Sequence, residues 1–141
     1  MKSFFDTSVL VAAALEDHEH HERSLMLFSG ADRKTGCCAA HSLAEIYSTL
    51  TRLPGNIRLS PDQALLFLDS VEDRLEIVSL NAREYRSAIN DAASVGIAGG
   101  AIYDALLGWC ALKAQANRIY TWDVSDFQRL GAQIAEKVRN P

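Results

Sequence analysis

Four short apolar runs, separated by stretches of helical length, limit the folds open to this chain more than anything else in it. Lys2–Phe5, Cys37–Ala40, Leu75–Ser79 and Arg118–Trp122 read as short buried strands. Between them lie Val9–Glu16 and His18–Ser29, then Leu43–Leu53 and Ser60 to about Asp73, then Ala82–Val95 and Ala101–Ala116, all read as helices. Strands that alternate with helices along a whole chain pair in parallel, because a parallel neighbour is reached only through a crossover. The expected fold class is therefore α/β, a three-layer α/β/α sandwich with a central parallel sheet. The 141 residues carry no repeat, no low-complexity segment and no internal linker, so residues 1–141 are expected to form a single domain. An additional edge strand is expected near Gln133–Ala135.

The helix starts carry their own signals. Thr7 or Ser8 can cap the first helix, and Ser42 with Glu45 has the S-x-x-E spacing of a capping box. Ser60-Pro61-Asp62-Gln63 combines a cap, a first-turn proline and a reciprocal glutamine, and Asn81 caps the next helix. Leu25, Met26 and Phe28 form the expected buried side of the second helix, and Gly99-Gly100 a hinge before Ala101.

Asp104 stands out because it lies in a helix that is otherwise almost wholly apolar over its first twelve residues. A buried carboxylate costs several kcal/mol unless something compensates it. Open α/β sheets bind ligands beyond the carboxyl ends of their strands, and several other acids map to that edge. Asp6 ends the first strand, Glu45 lies in the first turn of the helix after the second, and Asp123 ends the fourth. Asp104 lies in the first turn of the helix that precedes that strand. One pair of like charges at ~4 Å costs about 4 kcal/mol at an effective dielectric near 20. A hard divalent cation removes that cost, and Mg²⁺ or Mn²⁺ suits a site of carboxylates and water. Such ions bind substrate phosphates and generate hydroxide from water. Thr7 or Ser8, beside Asp6, offers an accessory hydroxyl to a water or a phosphate.

The segments FFDTSVL, HSLAEIYSTLTRLPG and YDALLGWCALKAQANRIYTWDVSDF, in this order and at this spacing, resemble the PIN-domain ribonucleases. Within that family they look like the VapC-type toxins of bacterial toxin–antitoxin pairs, and the likeness spans essentially the whole chain. The resemblance implies that Asp6, Glu45, Asp104 and Asp123 are the metal-binding acids, with Thr7 or Ser8 accessory. Asp126 matches an Asp-Phe pair that follows them in the family, and it is equally accounted for as the cap of a last short helix. Further implications are Mg²⁺-dependent endonucleolytic cleavage of RNA, a homodimer, and a cognate antitoxin that enters the cleft. Two other readings stand beside it. One is a PIN-like module that binds RNA or an antitoxin without cutting. The other is a phosphatase with Asp6 as nucleophile in the haloacid dehalogenase style, which calls for a second acid where this chain has Ser8.

The remaining features set limits. Net charge is −4, so no global basic footprint for nucleic acid is present. Arg33, Lys34, Arg52 and Arg58 are the candidates for a local basic rim. No GxGxxG or GxxxxGK[ST] follows the first strand. Cys37, Cys38 and Cys110 lack paired spacing and read as buried thiols of a reducing compartment. The N-terminus makes a poor signal peptide and no run reaches ~18 apolar residues, so the expected location is cytoplasmic, with no membrane partner. The run His18–His21 is contiguous, so its side chains would fan around a helix as a solvated face. His41 is expected near the cleft in a local backbone bond. Tyr103, Trp109 and Trp122 are expected in the core or at a dimer interface.

Overall fold

A computed structural model describes residues Met1–Pro141. Five strands, β1 (Ser3–Phe5), β2 (Gly36–Ala39), β3 (Glu76–Val78), β4 (Arg118–Tyr120) and β5 (Val138–Arg139), form one sheet in the order β3-β2-β1-β4-β5. Every neighbouring pair is parallel. The chain builds outward from β1 to β3, then returns to the other side of β1 for β4 and β5. Strand order thus reverses between β1 and β4, the position at which open parallel sheets form their ligand crevice.

Helices α1 (Thr7–Ala14), α2 (His21–Ser29), α3 (Ala40–Thr51) and α4 (Pro61–Arg74) cover one face. Helices α5 (Ala82–Ser94), α6 (Ala101–Lys113), α7 (Val124–Gln128) and α8 (Ala132–Ala135) cover the other. Adjacent strand residues point to opposite faces, so Phe4 and Cys37 join the α5–α8 core while Phe5 and Cys38 join the α1–α4 core. Both faces being covered explains why the strands read as continuous apolar runs rather than alternating ones. All three cysteines are free and buried. No helix is long and apolar enough to cross a membrane.

Several boundaries differ from the sequence expectations. Helix α1 begins at Thr7, so Thr7 and Ser8 lie inside it and Asp6 occupies the N-cap position without capping through its side chain. Helix α3 begins at Ala40, and Ser42 is buried inside it, so the Ser42–Glu45 capping box does not form. The S-x-x-E pattern was satisfied by chance because β2 passes into helix without a turn. The capping boxes at Ser60 and Asn81 do form. Helix α2 begins at His21, leaving His18–His20 in a turn. Its buried residues are Ser24 and Phe28, while Leu25 and Met26 are exposed. The tail forms helix over Ala132–Ala135, and the edge strand follows at Val138–Arg139.

Candidate active site

Helices that follow a strand in a parallel sheet begin near its carboxyl edge, so α1 and α3 bring their first turns to the edge where β1 and β2 end. Helix α6, which leads into β4, starts at the same edge. One cleft of about 500 Å³ opens there, and Asp6, Glu45, Asp104 and Asp123 all line it together with Thr7 and Ser8. Asp126 does not line it.

Asp6 is the fixed point. Its backbone N–H donates to the Tyr120 carbonyl at 3.0 Å, which carries the β1–β4 pairing one residue past the strand and locks Asp6 to the switch point. Its side chain is buried, and Oδ2 accepts from Ser8 Oγ and Thr121 Oγ1, each at 2.7 Å. These hydroxyls are themselves held, because Ser8 Oγ accepts from the Trp122 N–H at 3.0 Å and Thr121 Oγ1 from the Asp123 N–H at 2.9 Å. Burial pushes the Asp6 carboxyl up to about 6; the two hydroxyl donors pull against this and the Asp123 charge adds to it. Thr121, fully buried, is the functional neighbour that the sequence reading missed. The one signal for it was a hydroxyl at the end of an apolar strand.

Glu45 is anchored by Thr7, whose Oγ1 donates to Glu45 Oε1 at 2.8 Å and lies 2.9 Å from Ser42 Oγ. Ser42 therefore supports Glu45 through Thr7 rather than as a helix cap. His41 Nε2 stands 4.0 Å from Glu45 Oε2, and the His41 ring lies parallel to Tyr103, with centroids 5.7 Å apart. His41 is thus placed by side chains, not by the backbone bond expected of it, and Tyr103 is exposed rather than in the core.

Asp104, half-buried in the first turn of α6, is pushed up to about 6, first by burial and then by the charges of Asp6, Asp126, Glu45 and Asp123. Asp123 lies three residues beyond β4, at the N-cap position of α7, and is exposed. Its carboxyl is also raised, by partial desolvation and by Asp126. Asp126, outside the cleft lining, adds its charge to both shifts and is ion-paired with Arg129. No lysine or arginine lines the cleft.

This donor set, all oxygen, negative and without a cation of its own, fits a hard dication. No three acidic or imidazole side chains stand close enough to make a ready-formed cage for an ion. Mg²⁺ needs none, since it retains several waters and takes one or two carboxylates directly.

The sequence profile of the PIN domain matches residues 3–133. The chain belongs to the PIN-domain family. It is 34% identical to ribonuclease VapC40 of Mycobacterium tuberculosis over 132 residues, covering 92% of this chain and 94% of that protein. The crystal structure of M. tuberculosis VapC20, described as a toxin that cleaves the sarcin-ricin loop, superposes with a TM-score of 0.71 at 16% identity. That match covers 89% of this chain and 92% of VapC20. VapBC2 of Rickettsia felis, solved with a DNA fragment from its promoter, gives a TM-score of 0.67 at 20% identity, covering 99% and 98%. These two structures share the PIN fold described above.

Proposed function

We propose that this chain is an endoribonuclease that hydrolyses RNA phosphodiesters with Mg²⁺ or Mn²⁺, and that it is the toxin of a toxin–antitoxin pair. The observation that carries the reading is the cleft at the β1–β4 switch point, where Asp6, Glu45, Asp104 and Asp123 converge with Glu19 beside them and no lysine or arginine in the lining. The 34% identity to a named ribonuclease supports RNA as the substrate. Asp6, Glu45, Asp104 and Asp123 would hold the ion, which supplies positive charge to a phosphodiester and lowers the pKa of water. Asp6 spends Oδ2 on Ser8 and Thr121 and leaves Oδ1 free of side-chain hydrogen bonds, so one oxygen orients the group while the other serves the cleft. Thr7 does the same for Glu45 through Oε1. Ser8, where a phospho-aspartate enzyme of the haloacid dehalogenase style would carry an acid, instead donates to Asp6, which favours a ligand role for Asp6 over a nucleophilic one.

The partners proposed are a cognate antitoxin and a second copy of the chain. Leu25 and Met26 are exposed and available to such contacts, whereas Phe28, 4% exposed, is committed to the core. Light scattering is expected to report a homodimer at tens of micromolar, on the order of typical interface affinities; a monomer there counts against the assembly. The deciding experiment for activity is incubation with total RNA, with and without Mg²⁺, and mapping of the new 5′ ends. Asp104→Asn, which keeps the shape but removes a charged ligand of a hard cation, is expected to abolish cleavage. Cleavage that survives this change, or excess chelator, contradicts the mechanism. RNA bound but never cut identifies a non-catalytic module.

A further inference from the structure

The cleft has a second wall that the acids leave unexplained. The turn His18–Glu19–His20, between α1 and α2, lines it alongside the carboxylates rather than forming a solvated helical face. The turn is held from two sides. The His20 ring stacks flat on Trp122, with centroids 3.7 Å apart and planes 8° from parallel, and Trp122 Nε1 donates to the buried Ser24 at 2.9 Å. His18 Nδ1 accepts the His20 backbone N–H at 3.1 Å. A neutral imidazole that accepts at Nδ1 carries its proton on Nε2, so the backbone bond fixes the tautomer. His18 Nε2–H therefore has no partner within the protein, and it belongs to a side chain in a cleft whose other charged lining groups are all acids.

An RNA strand brings anionic oxygens into this acidic cleft. The carboxylates would hold a cation that supplies positive charge to the scissile phosphate, but adjacent phosphates would need neutral or positive donors, and lysine and arginine are absent from the lining. We propose that His18 is a substrate-positioning residue, its Nε2–H donating to a phosphate oxygen of bound RNA, and that the His20–Trp122 stack holds the turn in place for it. This assignment rests on the ribonuclease reading of the same cleft.

The test separates the two. Binding of a short fluorescein-labelled single-stranded RNA is measured by anisotropy in the Asp104→Asn background, so that binding does not depend on turnover. Adding His18→Ala is expected to weaken binding about tenfold or more, the loss typical of a hydrogen bond to a charged group. His18→Gln, whose amide can place a donor near the position of Nε2, is expected to recover most of it. In the otherwise unaltered protein, His18→Ala should raise KM far more than it lowers kcat. Calorimetry with Mn²⁺ alone should give the parent affinity in both His18 variants, which shows the fold and the acids intact. Unchanged RNA affinity in His18→Ala, or RNA and Mn²⁺ affinities that fall together, overturns the positioning role and leaves the nuclease reading standing. A parent that neither binds nor cuts RNA overturns both.

Discussion

At Asp6 two influences oppose each other. Burial raises the carboxyl to about 6, while Ser8 and Thr121 hold the charged form and keep it from rising further. The unfolded value is about 3.9, so between about pH 4 and pH 6 the native state binds more protons than the unfolded one. Stability from this group is full below the unfolded value and is lost as pH climbs through the folded one. In chelator, thermal unfolding should therefore show a higher Tm near pH 5 than near pH 7, with Asp6 alone contributing on the order of 1 kcal/mol. Asp104 acts in the same direction by less, since it is partly exposed and screened. Asp32 and Glu84, held below the usual carboxylate range by local backbone hydrogen bonds, act oppositely, but only as pH falls through that range. A Tm that is flat or rising from pH 5 to pH 7 in chelator would contradict this account of the cluster. Asp6, Asp104 and Asp123 were readable because each follows an apolar run or opens a helix, whereas Glu45, expected in a first turn, lies in the second turn of α3 because that helix begins at Ala40. Thr121 and the His18 turn were not, because a hydroxyl just past a strand gains its partner Asp6 115 positions away, and the turn is set in the cleft by the stack of His20 on Trp122.

The elements show where local signals hold and where tertiary structure overrides them. Ser60 and Asn81 lie after loop backbone, where the first helical N–H groups have no other partner, and both capping boxes form. Ser42 has the same sequence signal, but β2 runs directly into α3 at Ala40, so Ser42 falls in the helix and meets Thr7 instead. Ser60→Ala is expected to cost about 1 kcal/mol of stability, the usual value of a lost cap, with no effect on RNA cleavage. Ser42→Ala should instead lower cleavage, acting through Thr7 and Glu45. Denaturant unfolding and a cleavage assay on both variants check this; equal activity loss in the two would mean that the Thr7–Ser42 contact does not support Glu45. The strand–helix alternation was legible because each buried strand is a compact apolar run. The edge strand was misplaced because Ala132–Ala135 and Val138–Arg139 are too short for any periodicity to separate helix from strand.

For the whole molecule, the sheet order matters most, because it brings residues from both ends of the chain to one edge. Asp6 and Thr121 are hydrogen-bonded across 115 positions, so the site exists only when β1 and β4 are paired, and binding there is coupled to global folding. Without metal, Asp104 feels the charges of Asp6, Asp126, Glu45 and Asp123, and each disfavours its ionised form. Asp104→Asn should thus raise Tm in chelator at neutral pH, by an amount on the order of 1 kcal/mol in stability. Mg²⁺ at a hundredfold excess over its dissociation constant should stabilise the parent by ~2.7 kcal/mol through mass action, and the variant by much less. For a chain of this size that corresponds to roughly 10 °C in Tm. If Asp104 served only to favour its helix N-terminus, losing its charge would instead lower stability by about 0.3–1 kcal/mol, and Mg²⁺ would act equally on both proteins. Four melting curves, parent and variant in chelator and in millimolar Mg²⁺, distinguish the cases by sign. A variant that melts below the parent in chelator with an unaltered metal response would remove Asp104 from the cluster and leave the cleft without its central acid.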